Sequence, residues 1–204
     1  MIGVIDYGAG NLRSMFNAIS RIAKSTGQDV VITNDPDLLR SADKLILPGV
    51  GAFGSVMYDI KKNKIDEFVK EWIKKGLPFM GVCVGLQVLF EFGYEMGTHE
   101  GIGIFKGEVI KFKKAAPIPH IGWNQISVVK ETPFFSKEDD GKYFYFVHSY
   151  YVNPKDKNII NTFTDYQGEV FTSSIYSDNV FAVQFHPEKS HQNGAEVIKK
   201  FVLL

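Results

Sequence analysis

The 204-residue chain holds a single cysteine, Cys83, so no disulfide can form within it. An excess of either charge is also missing: Lys plus Arg and Asp plus Glu each total 23. That balance leaves no electrostatic footprint for nucleic acid or for an anionic membrane surface. No apolar run approaches the roughly 20 residues a membrane span requires. The opening stretch, MIGVIDYGAG, lacks the basic region and long apolar segment of a secretory leader. There is no internal repeat, low-complexity tract or linker, and no His, Cys and carboxylate grouping has metal-ligand spacing. These scarcities predict one cytoplasmic domain over residues 1–204, with no metal or cofactor and no nucleic-acid or membrane partner. Its apolar content of 45% is ample for a core.

What is present is an alternation of strands and amphipathic helices. IGVID (2–6) is a short apolar run, YGAGN (7–11) a turn, and Leu12, Met15, Phe16, Ile19, Ile22 and Ala23 mark one helical face. DVVIT (29–33) and KLILPG (44–49) are the next predicted strands. Ile65, Phe68, Val69, Trp72 and Ile73 define another helix, closed by Gly76, and LPFMGV (77–82) is a buried strand. This order predicts an α/β fold with a mainly parallel sheet. The second half is different. GEVIKF (107–112), YFYFVHSYYV (143–152), EVFTSSIYS (169–177) and NVFAVQF (179–185) are strand-like, the last two joined as a hairpin around Ser177, Asp178 and Asn179. Antiparallel pairing is expected here, followed by a terminal helix over 195–202.

The one thiol sits in GVCVGLQ (81–87), between a strand and an apolar segment, LQVLFEF (86–92), that is predicted helical. Gly-x-Cys-x-Gly at that junction is the thiol counterpart of a nucleophile elbow. Gly81 and Gly85 would clear side chains from a sharp turn, and the helix N-terminus would favour the thiolate. A nucleophilic thiolate needs a base, and the base needs an orienting acid. FHPEKS supplies both: His186 and Glu188 lie two apart on an extended segment, facing the same side, with Pro187 stiffening it.

Other candidates are weaker. His99 and His191 lie in polar stretches and are expected to be solvated; His148, in an aromatic strand, suits a structural role, and His120 would orient a loop in PIPHIGWN. Gly8 and Gly10 in YGAGN are followed by Arg13 where a dinucleotide fingerprint needs a third glycine, so a tight turn is expected. LPGVGAFGSVM (47–57) is a glycine-rich loop through Gly49, Gly51 and Gly54. It holds no basic residue, which favours backbone N–H binding of a small oxyanion or carboxylate over a phosphate cradle.

Cys83 in GVCVGLQ, together with His186 and Glu188 in FHPEKS, resembles the class I (triad) glutamine amidotransferases. Within that family the blocks IDYGAGNL, LPGVGAFG, IPHIGWN, FYFVHSYY and FHPEKS are similar to the glutaminase subunits of imidazole glycerol phosphate synthases, and together they cover essentially the whole chain. The resemblance implies a three-layer, flavodoxin-like fold, its central sheet mixed but mostly parallel. It implies glutamine as substrate, hydrolysed to glutamate and ammonia, with Cys83 as nucleophile, His186 as general acid and base, and Glu188 orienting it. Oxyanion donors would be the N–H of Val84 and, after a backbone rearrangement, the loop Gly49, Val50 and Gly51. Gln87, His148, Ser149 and Tyr150 match glutamine-binding positions. Asn11, Trp123, Tyr145 and Lys189 match positions near the subunit interface and ammonia exit. The implied partner is a separate (β/α)8-barrel cyclase of histidine biosynthesis.

Three other functions stay open on sequence alone. The chain could feed ammonia to a sugar amidotransferase, act alone on γ-glutamyl compounds, or serve as a silent regulatory subunit.

Overall fold

The computed structural model describes residues 1–8 and 12–204. Its first half is built from four short strands: β1 (Ile2–Ile5), β2 (Val30–Thr33), β3 (Lys44–Leu47) and β4 (Phe79–Val82). Three of them, β1, β3 and β4, are buried at every position, as apolar runs covered on both faces must be. Between them lie α1 (Leu12–Ser25), α2 (Pro36–Arg40), α3 (Phe53–Lys62) and α4 (Ile65–Lys74). Asp35 caps α2 by accepting from the Asp37 N–H, and Pro36 stands where a helix needs no donor. The face of α4 that is buried carries Ile65, Phe68, Val69 and Trp72, as the spacing predicts.

After β4 come a single helical turn, α5 (Val84–Gln87), and the strands β5 (Phe90–Gly93), β6 (His99–Glu100), β7 (Phe105–Lys111), β8 (His120–Gln125) and β9 (Ser127–Val128). The chain ends with β10 (Tyr143–His148), β11 (Tyr150–Pro154), β12 (Ile160–Tyr166), β13 (Glu169–Ser177), β14 (Val180–Val183) and α6 (His191–Val202). Eight strands form one sheet in the order β2-β1-β3-β4-β14-β13-β12-β9. From β2 to β14 all neighbours are parallel, and from β14 to β9 all are antiparallel. The order β2-β1-β3-β4-β14 is the flavodoxin-like one. Because β1 to β2 and β3 to β4 cross in opposite directions, right-handed connections put α1 on one face and α3 and α4 on the other. The expected α/β architecture, mixed and largely parallel with an antiparallel second half, is the one observed.

Two smaller sheets stand beside it: β11-β7-β5-β6, and a ribbon of β10 and β8. Among the described residues no helix is long and apolar enough to cross a membrane.

Several elements depart from expectation. The helix predicted over 86–92 stops after one turn, because the Val88, Leu89, Phe90 and Glu91 carbonyls accept from the segment 101–105 and pull the chain into β5. A short apolar run cannot separate those outcomes by period. The strand predicted over 143–152 is two strands, since the chain changes partner at Ser149 from β8 to β7. Gly54 belongs to α3, not to the loop, and His120, itself buried, begins β8 instead of orienting a loop. The hairpin at Asp178 and Asn179 forms as expected, with Asp178 at φ +51° and Ser177 opposite Val180.

Candidate active site

Parallel strands end at a common edge, and that geometry assembles the site. Tyr7 follows β1, the loop from Pro48 to Ala52 follows β3, Cys83 follows β4, and Gln184 to His186 follow β14. The Cys83 N–H donates to Val183 O at 2.8 Å, so the thiol is registered directly against the strand that delivers the histidine.

Cys83 sits at φ +54° and ψ −112°, backbone a side chain rarely adopts. The glycines around it are there for backbone contact. A Cβ on Gly85 would lie 2.0 Å from the Leu47 carbonyl oxygen, and one on Gly49 only 2.4 Å from the Gly85 nitrogen. Gly81 is pressed against the Gly85 carbonyl in the same way. The strained turn is thus clamped between β3, its loop and β4. With α5 only four residues long, a long helix dipole is not what acts on the sulfur.

A cation replaces it. His186 is 2% exposed, and its Nδ1 lies 2.8 Å from Glu188 Oε1. Its Nε2 is buried with no partner in hydrogen-bonding geometry. Burial works against the imidazolium, but a thiolate at Cys83 and the Glu188 carboxylate outweigh it and raise the pKa to about 10. The segment is fastened from behind: Ser190 Oγ donates to His186 O at 2.6 Å and accepts from the Tyr145 N–H at 2.9 Å. Since the sulfur contributes most of the favourable charge, replacing Cys83 with alanine is expected to lower the His186 pKa. A 15N-histidine NMR titration of both forms measures the shift; an unchanged titration would place the thiol too far away to act.

A cavity of about 380 Å³ opens beside the sulfur. It is lined by Val50, Gly51, Cys83, Val84, Gln87, His148, Ser149, Tyr150 and His186, which brings together residues that the sequence singled out from four separate stretches. Gly49 lies beneath it, packed on the elbow, and Glu188 stands behind His186. Glu95 also lines the cavity and was not foreseen, because its carboxylate is one of many in a polar stretch. Its Oε2 accepts from the Phe53 N–H at 2.8 Å, which fixes an anion at the wall.

Gln184 was missed as well. Fully buried, it donates from Nε2 to Cys83 Sγ at 3.6 Å and accepts from Gln87 Nε2 at 3.0 Å. Its position two before His186 on an extended strand was the available signal. Tyr7, 3% exposed, adds a buried phenol whose pKa is pushed up by desolvation.

Trp123, Tyr145 and Lys189 gather on the outer side of the β8–β10 ribbon. Trp123 meets Tyr145 edge-on at 6.0 Å, and Lys189 Nζ lies 5.9 Å over the Tyr145 ring. His191 is exposed, as expected, and stacks flat on Trp123 at 5.1 Å. His99, by contrast, is half-buried and its Nε2 donates to Glu95 O at 3.1 Å. Asn11 lies outside the described residues. Among the described residues there is no group of three or more histidine, cysteine or carboxylate side chains placed to hold a metal ion.

A cysteine sulfur beside an acid-held imidazole, opening on a small cavity with a fixed carboxylate, can attack a carbonyl and protonate the group that leaves. The chain matches the glutamine amidotransferase class-I family over residues 4–204. It is 48% identical over 198 residues to the imidazole glycerol phosphate synthase subunit HisH of Aquifex aeolicus, covering 97% of this chain and 94% of that one. HisH of Methanocaldococcus jannaschii is 48% identical over 204 residues, all of both chains. In fold it is similar to PurLQS from Thermotoga maritima, with a TM-score of 0.75 at 20% identity over 99% of this chain and 97% of that one.

Proposed function

This chain belongs to the class I glutamine amidotransferase family, and we propose that it is the glutaminase subunit of an imidazole glycerol phosphate synthase. The observation that carries the reading is a strained, glycine-clamped Cys83 whose neighbouring strand delivers an imidazolium held by Glu188. Glutamine would enter the cavity with its α-ammonium toward Glu95 and its side-chain amide at the sulfur. Cys83 Sγ attacks the amide carbon, and the C=O electron pair becomes an oxyanion. The Val84 N–H would supply one donor to that oxygen, and the loop Gly49, Val50 and Gly51 a second once its backbone rearranges. His186 gives its proton to the amide nitrogen, the C–N bond breaks, and ammonia leaves. Water, deprotonated by His186, then opens the γ-glutamyl thioester and restores the thiol. No step calls for a cofactor.

Ammonia in neutral water is mostly ammonium, which is not a nucleophile, so release to solvent defeats the purpose. The acceptor site therefore lies on a partner, a (β/α)8-barrel cyclase, with the chain acting as one domain in the cytoplasm. Trp123, Tyr145, Lys189 and Asn11 form the docking and exit region in this reading. Its support is an outward face where Ile121 is 59% exposed, Trp123 44% and Tyr143 50%. Truncating a central aromatic anchor costs about 2 kcal/mol of binding or more. Trp123→Ala is thus expected to weaken cyclase binding roughly 30-fold, measured by calorimetric titration, with the fold unchanged.

The decisive assay measures glutamate release from glutamine, with and without the cyclase and its nucleotide substrate. Turnover that rises with the cyclase supports the proposal. Absence of turnover in all conditions refutes it, and a native pull-down recovering a sugar amidotransferase instead would reassign the partner.

A further inference from the structure

Two buried histidines take no part in the chemistry above, yet they are among the most constrained polar groups in the molecule. His120 on β8 and His148 at the end of β10 are 2% and 6% exposed, and they face each other across the ribbon in register. His148 Nδ1 lies 2.9 Å from the Tyr150 carbonyl oxygen, and its Nε2 lies 3.1 Å from His120 Nδ1. His120 Nε2 lies 3.3 Å from Asn124 Nδ2. His120 is stacked between Tyr166 at 4.0 Å and Phe146 at 5.0 Å, and Phe112 closes edge-on over the pair.

These contacts fix every proton. A carbonyl only accepts, so His148 must carry its hydrogen on Nδ1, which leaves its Nε2 as an acceptor. His120 must then donate from Nδ1, and its own Nε2 accepts from the Asn124 amide. Asn124 is oriented in turn, since its Nδ2 also donates to Asp165 O at 2.8 Å and its Oδ1 accepts from the Gln125 N–H at 2.8 Å. Burial supports the same assignment: it holds the His120 pKa down to about 4 and that of His148 down to about 3, so both rings are neutral.

The polarised chain ends on a carbonyl that matters. Tyr150 O also accepts from Gln87 Nε2 at 2.9 Å, and Gln87 donates on to Gln184, which reaches Cys83 Sγ. Both Tyr150 and Gln87 line the cavity. We propose that His120 and His148 are positioning residues, a neutral relay that fixes the Tyr150 carbonyl and through it the Gln87 wall of the substrate cavity. The proposal rests on the glutaminase reading only for the identity of that substrate. Along β8 the side chains alternate, so Asn124 and His120 point inward while Ile121 and Trp123 face out toward the proposed partner. The relay therefore starts on the strand whose other side would be docked.

Two measurements test it. Long-range 1H–15N spectra of the full-length wild-type chain at neutral pH are expected to show both rings neutral with the hydrogen on Nδ1. An Nε2–H tautomer or a charged ring for either residue overturns the relay, whatever the enzyme's activity. In the complex with cyclase, His120→Phe removes the donor to His148, whereas His120→Asn keeps an N–H at the place of Nδ1. Loss of a buried hydrogen-bond partner is worth roughly a factor of 10. His120→Phe is expected to raise the glutamine KM about tenfold with kcat changed far less, and His120→Asn to restore the wild-type KM. A wild-type KM in His120→Phe, or equal damage to KM and kcat in both variants, overturns the proposal. Should His120→Phe fail to fold, the wild-type ring tautomers decide. Wild-type chain with cyclase but no turnover would instead defeat the glutaminase reading and leave the tautomer result standing.

Discussion

Cys83→Ala is expected to abolish glutamate release, by a factor of about 10⁴ or more, while the protein stays folded. In the proposed mechanism the sulfur is the bond-forming atom, and no other cysteine exists to substitute for it. Its side chain is small, so alanine removes one sulfur from a site that already opens on a cavity, and little packing is lost. Glutamine should still bind, because Gln87, Glu95 and the Tyr150 carbonyl remain in place. The measurement is single-turnover glutamate release beside equilibrium binding of glutamine. Retained turnover within about tenfold of wild type would remove Cys83 from the mechanism.

Gly85→Ala is expected to cost the protein much of its stability through one added methyl. The new Cβ would sit 2.0 Å from the Leu47 carbonyl, backbone against backbone, with no flexible side chain able to move aside. Either β3 or the elbow must shift, at a cost of about 3 kcal/mol or more. For a chain of this length that corresponds to a fall in melting temperature of roughly 10 °C. Activity should be lost with it, since the same shift misplaces Cys83. Gly103→Ala is the control. Gly103 is at φ +75° with no described atom within 4 Å of the added carbon, so only backbone strain of about 1 kcal/mol is expected. Equal destabilisation of the two variants would show that crowding at the elbow is not what Gly85 relieves.

The parallel half of the fold was largely legible because its strands are short apolar runs near glycine and proline and α1 and α4 carry clear faces, whereas α2 and α3 were not foreseen. The site was legible for a related reason. Cys83, His186 and Glu188, which the proposed mechanism uses as nucleophile, base and acid, each come after a strand, and Gly-x-Cys-x-Gly and His-Pro-Glu are local patterns with local geometry. What stayed hidden was set by distant partners. Val88 to Phe90 could have been helix or strand until the 101–105 segment supplied donors for its carbonyls. The break at Ser149 is invisible in YFYFVHSYYV, because two different sheets claim its two ends. Gln184 and Glu95 are ordinary polar residues in the sequence and gain meaning only from the sulfur and the cavity beside them. His120 was legible as a histidine but not as half of a buried pair, since its partner lies 28 residues away.

Adjacent strands β4 and β14 carry the thiol and the imidazole, and Val82 pairs with Val183 across them. Everything between Val84 and Asn179 is therefore an excursion that departs from and returns to one seam in the sheet. The reactive pair is held by that seam, whatever the length of the detour. Evolution is free to lengthen surface bends of this excursion, such as the exposed residues 155–158, without disturbing the spacing of sulfur and ring, and short insertions placed there should leave the proposed chemistry intact.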